Sequence, residues 1–321
     1  MPLRRRRGGS PWTGLGAVVA KETADHLSSA RMRILEALVF LTALAAAYAA
    51  IRSIREKIGE SPFLFLHLLT LAQKQLPSFI SLLSFLIPLV AIALAFDAVN
   101  GEFNRRTMSR ILAQPIYRDA LLLGKFLSGL LALSIGLVSL WLLVIGLGLI
   151  LFGVPPSTEE TLRMLGFLVA TIAYGGVWLA LALLFSVIFR APATAALAAL
   201  GTWLLFALFW SFIGPIAASL IAGPPEGLFG PRLEYVNTLQ IIDRLSPNTL
   251  YAETVLALLH PDVNVLGPVL ISQLEGVLIG APLPVLQSFI LVWPQLTGLV
   301  ATMIVIFAIA YIAFQRQEIR A

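Results

Sequence analysis

The stretch ALLLGKFLSGLLALSIGLVSLWLLVIGLGLILFG, residues 120–153, holds a single charge, Lys125, among its apolar side chains. As a helix rising ~1.5 Å per residue it reaches roughly 50 Å, well beyond the ~30 Å hydrocarbon layer of a bilayer. It reads as a membrane span that tilts or protrudes. Five further apolar runs lie around it, at about 34–51, 77–97, 164–189, 193–222 and 287–314. The composition agrees: 59% of the 321 residues are hydrophobic and 12% charged, against roughly 25% charged in soluble domains. Strands of a spanning barrel would alternate over ~10 residues, and no such alternation is visible. The expected fold class is all-α: a polytopic membrane protein with six transmembrane helices, forming one domain over 15–321.

The segments between the runs refine this expectation. Residues 1–14 begin with Arg4 to Arg7 and Gly8-Gly9, and no long apolar run starts before residue 34. That is a flexible basic tail rather than a signal peptide. Residues 15–33 read as an amphipathic helix along the membrane surface, or as a solvated extension of the first span. Ser61-Pro62 is a cap followed by proline at the first helical position, opening a helix to about residue 75 at the outer surface. Pro88, inside the second run, predicts a kink. The outer segment 223–286 carries eight prolines. Within it Ser246-Pro247 opens a helix that His260-Pro261 ends, and Leu266 to Ile279 is apolar except for Glu275. This segment reads either as a cap over an exit path or as a docking surface for an external partner.

Basic residues set the orientation. Outside the membrane the expected set is Arg52, Arg55, Lys57, Lys74, Arg163, Arg232 and Arg244, and the more numerous remainder lies inside. Both termini are then cytoplasmic, in a plasma membrane. The net charge of +5 is carried beside the spans, where it faces anionic headgroups rather than nucleic acid. There are no cysteines, which removes disulfides, thiolate metal sites and thiol nucleophiles.

Little chemistry is available inside the spans. Glu36, Asp97 and Lys125 lie near their inner ends, where snorkelling to the interface is cheap. A proton- or ion-coupled carrier would place ionisable groups deeper, so the energy source is expected elsewhere. His26, His67 and His260 are far apart and form no H-E-x-x-H pair. Ser128-Gly129 has no histidine in a span to serve as its base. Gly124-Lys125 continues into Phe126 and lacks the earlier glycine of a Walker A loop. This chain is therefore not expected to hydrolyse ATP, and no catalytic, cofactor or metal site is assigned to it.

The informative segment lies between the second and third runs. Read as one helix over 101–113, it aligns Glu102, Arg106 and Arg110 at i, i+4 and i+8. Phe103, Thr107, Met108, Ile111 and Leu112 form the adjoining face, and Pro115 stops the helix. Such a helix can dock its apolar residues in a partner's groove, or lie on lipid headgroups. The run from Phe96 and Asp97 through Gly101-Glu102 and Arg105-Arg106-Thr107, then Gln114-Pro115-Ile116-Tyr117-Arg118 and Gly124-Lys125-Phe126, resembles the signature of ABC-2-type permeases. That group includes the permease of the copper-maturation system of nitrous oxide reductase. Lys21-Glu22, Leu245-Ser246-Pro247 and Arg316-Gln317-Glu318 are further matches. One departure is Arg106, where the family commonly has glycine before the threonine.

The resemblance implies a six-helix permease, dimeric and expected to be a homodimer, that binds two ATPase subunits on its inner side. Residues 15–33 become the interfacial elbow helix and 101–113 the coupling helix. Gly101, Glu102, Phe103, Arg105, Arg106, Thr107, Arg110, Ile111 and Leu112 are then the residues that meet the ATPase. ATP and magnesium are expected in that partner, and none in this chain. The alternative function is a mechanotransmitter that passes ATPase work to an extracytoplasmic protein without moving a solute.

Overall fold

The computed structural model describes residues 14–30, 63–70, 78–108, 117–227, 230–261 and 283–317, with parts of 32–48. Eleven helices are labelled here in chain order. They are α1 (Leu15–Ser28), α2 (Leu64–Thr70), α3 (Phe79–Ala95), α4 (Asn100–Asn104), α5 (Arg118–Phe152) and α6 (Thr158–Ile188). They continue with α7 (Pro192–Leu204), α8 (Trp210–Ala222), α9 (Leu233–Asp243), α10 (Pro247–Leu259) and α11 (Val285–Arg316). A π-helical turn, Leu205–Phe209, joins α7 to α8 into one rod. Against the all-α expectation there is one small exception, a hairpin of two-residue strands pairing Glu226–Gly227 with Gly230–Pro231.

Five described helical stretches are long and apolar enough to cross a membrane: Phe79–Asn104, Arg118–Ile150, Thr158–Ile188, Pro192–Ala222 and Val285–Arg316. They coincide with the second to sixth expected spans. Half of the residues of the first, 34–51, lie outside the described ones, as do the tail 1–14 (all but Gly14) and the apolar stretch 266–279; the described half of 34–51 is helical. Ser61 and Pro62 also lie outside them.

The bundle is organised around α6, whose most apolar 18-residue stretch is 78% buried and which packs against α3, α5, α7, α10 and α11. Small residues allow that approach. A Cβ on Gly175 would come within 2.5 Å of Leu133 on α5, and one on Gly176 within 2.5 Å of Met303 on α11. In the most apolar 18-residue stretch of the rod α7–α8 and of α11 only 11% of the residues are buried, and Leu197, Phe212, Ile216, Leu220 and Trp293 stand exposed along them. Such faces suit hydrocarbon rather than water.

Pro88 sits within α3 and cannot donate to the carbonyl of Ser84 four residues earlier. The Tyr174 hydroxyl of α6 lies 3.1 Å from that carbonyl and 2.7 Å from Asn248 Oδ1. The single hydrogen of that hydroxyl serves one of these two acceptors, so the carbonyl freed by proline and the Asn248 amide share one side-chain donor. Tyr174 stacks on Tyr251 of α10, with centroids 4.3 Å apart. The Tyr251 hydroxyl donates to Thr171 Oγ1 at 3.0 Å, because the Thr171 hydrogen is given to Phe167 O.

At the end of the bundle where α6 begins, here called distal, buried charges tie the elements together. Ser157 and Glu160 form a capping box, and Glu160 Oε1 also accepts the backbone N–H of Phe65 on α2 at 2.9 Å. Arg163, expected among the outer cations, is fully buried. It donates to Glu159, to Leu258 O of α10, to Ser288 Oγ of α11 and to Leu283 O. Helix α10 opens at Ser246-Pro247 and stops at His260 as its sequence predicts, and it is inserted among α6, α11 and α3. Helix α2 likewise buries Phe65, Leu66, Leu68 and Leu69.

Candidate functional site

At the opposite, proximal end, α5 begins and α6 and α11 finish. Helix α1 lies along the first turns of α5 because Gly124 leaves room for it: a Cβ there would meet Val18 Cγ1 at 2.6 Å. The next residue, Lys125, has a side chain only 3% exposed. Its ammonium contacts Glu102 Oε1 of α4 at 2.6 Å and Glu22 Oε2 of α1 at 3.3 Å. One buried cation thus joins three elements. Lys125 does not snorkel to an interface as its sequence position suggests; it is held by two carboxylates.

Lys21 adds a second cation from the solvent side, 3.0 Å from Glu22 and 3.1 Å from Asp25. Burial raises the Glu22 carboxyl, but Lys125 and Lys21 outweigh it and hold the group below its ordinary value. Glu102 Oε2 is buried without a hydrogen-bond partner. A cavity of about 320 Å³ opens beside it, lined also by Asp25, Asp97, Arg105 and Lys125.

Helix α4 is fastened on its other side to the end of α6. Ser186 Oγ accepts the backbone N–H groups of Val99 and Asn100, at 3.0 and 3.3 Å. Asn100 Nδ2 donates to Phe189 O and Asn104 Nδ2 to Arg190 O. Gln317, at the end of α11, donates to Val187 O and accepts from Arg118. Asp119 accepts from Tyr311 and Gln315.

The continuous helix expected over 101–113 is not formed. Helix α4 ends at Asn104, and Arg106 adopts the left-handed backbone, with φ 54°. Arg106 N–H bonds to Phe103 O, and Thr107 N–H to Glu102 O. That pair of bonds around a left-handed residue is a Schellman stop. Glycine is the favoured residue at this position because it has no Cβ to clash. The Gly-Thr of the family pattern is thereby explained, and so is the local cost of Arg106.

The consequence for the predicted site is direct. Glu102 and Arg106 do not share one helical face, and Glu102 points to Lys125 rather than outward. Gly101 is buried, Phe103 and Thr107 are half-buried, and Arg105 and Arg106 are exposed. Arg110, Ile111 and Leu112 lie outside the described residues. Glu22, quoted from sequence only as a match, and Lys125, read from sequence as a residue at the inner end of its span, belong to the same cluster as Glu102. Ser186 carried no signal at all, since a serine in an apolar run resembles any other.

A family model for ABC-2 family transporter proteins matches residues 16–319. The chain belongs to this family. It is similar to the probable ABC transporter permease protein NosY of Stutzerimonas stutzeri, with 34% identity over 162 residues, 49% of this chain and 55% of the relative. The protein of the same name from Pseudomonas aeruginosa is 34% identical over 181 residues, 54% of this chain and 60% of the relative. The matches span a little over half the length of these relatives. Family membership makes the chain a multi-pass membrane subunit of an ABC transporter.

Proposed function

We propose that this chain is the permease subunit that couples ATP hydrolysis in a separate subunit to movement of a substrate across the membrane. In this reading six spans place both termini in the cytoplasm, residues 15–321 form one transmembrane domain, and α1 is the interfacial elbow. Two such chains form a dimer, a homodimer in the simplest case, and two ATPase subunits bind at the proximal end. ATP and magnesium belong to those subunits.

The observation that carries the reading is the Lys125 cluster. Helix α4, with the exposed Arg105 and Arg106 beyond it, is the element that meets the ATPase. A displacement of α4 is passed to α5 and α1 through Glu102, Lys125 and Glu22, and to α6 through Ser186. Attraction between poorly screened charges falls only slowly with distance, so the Glu102–Lys125 contact is kept as α4 shifts.

The test uses the chain reconstituted with its ATPase subunit. Glu102→Gln should leave the complex assembled while reducing stimulation of ATP hydrolysis by the permease. An assembled Glu102→Gln complex with unchanged stimulation would sink the reading. A second reading, mechanotransmission to an external protein, is favoured by Leu233, Ile241 and Leu245, which stand exposed on and beside α9. Transport in vesicles without any external protein distinguishes the two.

A further inference from the structure

We propose that Glu36 and the crevice beside it form a bilayer-facing site for a primary alkylammonium ion, whose head pairs with the carboxylate while its chain lies along the apolar flank of α5. The inference concerns the first span and stands apart from the coupling role of α4.

The position of Glu36 in the bundle is the starting point. Its carboxylate faces α5 at Gly136, with Oε1 3.6 Å from where a Cβ on that glycine would stand. Gly136 lies roughly 27 Å along α5 from Arg118, and roughly 16 Å beyond Lys125. Helix α5 has 35 residues, so a hydrocarbon layer of ~30 Å placed anywhere along it contains that level. Glu36 is thus a carboxylate at hydrocarbon level.

The crevice defines the occupant. Its free volume is about 30 Å³, and Met32, Val39, Val90, Leu133 and Leu137 are among its walls. Among its described walls Glu36 is the charged group, and no described residue pairs with it. An ionised carboxylate in such a setting is costly, and a cation beside it offsets that cost. The space matches the volume of one water molecule, and a primary ammonium head is of that size. Water itself is a poor occupant, because it needs two to four polar partners where the described walls offer one carboxylate. Ile34 and Leu41 on the first span, with Leu131 and Ile135 on α5, stand exposed beside the crevice. They give an alkyl chain arriving from the bilayer an apolar surface to lie on.

The experiment places the full chain in nanodiscs of neutral phosphatidylcholine and measures binding of tritiated dodecylamine above that of empty discs. Binding should saturate. Dodecanol, which lacks the charge, and dodecyltrimethylammonium, whose head is too large for the crevice, should each bind the wild type about tenfold more weakly or worse. Glu36→Gln should lower the affinity for the amine by a similar factor, and so should Gly136→Leu, which fills the crevice and keeps the charge. Glu234→Gln, on the exposed face of α9, should have no effect. Equal wild-type affinity for the amine and either comparison compound overturns the inference, as does wild-type amine binding in both crevice variants. If Glu36→Gln changes the oligomeric state in light scattering and leaves amine affinity unaltered, the carboxylate serves a second copy of the chain and the inference is equally overturned. Stimulation of the ATPase is not read in this assay, so its loss or retention bears on the coupling role alone.

Discussion

Replacing Lys125 by methionine tests the cluster at its centre. The substitution keeps the length and apolar stem of the side chain and removes the one cation contacting Glu102. Glu102 is then left with a side chain 16% exposed, facing Glu22 with no cation between them, and must either take up a proton or bear an unpaired charge. Breaking a buried pair by removing one partner costs about 3–5 kcal/mol. The low end applies here, because Glu22 keeps Lys21 at 3.0 Å and both carboxylates retain some contact with water. About 3 kcal/mol is more than a hundredfold in the folding equilibrium. Unfolding of the purified chain in mild detergent, followed by tryptophan fluorescence, measures it. The charge origin is isolated by the cycle with Glu102→Gln: the double variant should recover about 2 kcal/mol of the loss. Additive losses in that cycle would refute the shared-cation account even if Lys125→Met were destabilising.

Four other outcomes follow from the same geometry. Arg106→Gly should stabilise the chain by about 1 kcal/mol, since it relieves a left-handed residue bearing a Cβ, and thermal unfolding reads the gain. Gly124→Ala should cost about 1–3 kcal/mol by overpacking α1 against α5, and Val18→Ala in the same chain should restore much of it. Arg163→Ala should cost about 3–5 kcal/mol, and Arg163→Lys should not rescue, because an ammonium cannot reach the same spread of acceptors. Glu22 is held below its ordinary value of 4.5, so its contribution is complete above that value and lost as pH falls through the lower folded one. Comparison of Glu22→Gln with the wild type should therefore show a stability gap at neutral pH that closes in acid.

The architecture was legible where it depends on length and on strong local signals. Apolar runs gave five of the spans to within a few residues at most ends, because the hydrocarbon thickness constrains the helix. Ser246-Pro247 and His260-Pro261 marked α10 because a cap and two prolines act on the backbone locally. The candidate site was legible only in part. Periodicity over 101–113 favoured one helix, and Arg106 hid the stop that glycine would have announced. Lys125 and Arg163 looked like interfacial cations because nothing local reveals the carboxylates and carbonyls that meet them from distant segments. Glu22 lies 103 residues from Lys125, and Leu258 lies 95 from Arg163. Pairings at that separation are a property of the packed bundle.

The two attachments of α4 differ in kind, and the difference bears on how a stroke would travel. On the α6 side a neutral serine oxygen accepts two backbone donors of α4, a short-range contact that fails once the helix shifts by more than a hydrogen-bond length. On the α5 side the contact is between charges in a poorly screened setting, where attraction falls only slowly with distance. Glu22 anchors Lys125 to α1, so the cation stays in place facing Glu102 as α4 moves. A pull on α4 would therefore release Ser186 first, while α1 and α5 remain coupled to it through Lys125. The stiff joint lies on α6, the core of the bundle, and the compliant one on the two elements that frame its proximal end. Under the proposed coupling, that asymmetry favours opening of the proximal end between α4 and α6, where a cavity lined by Phe103, Phe189 and Arg190 lies.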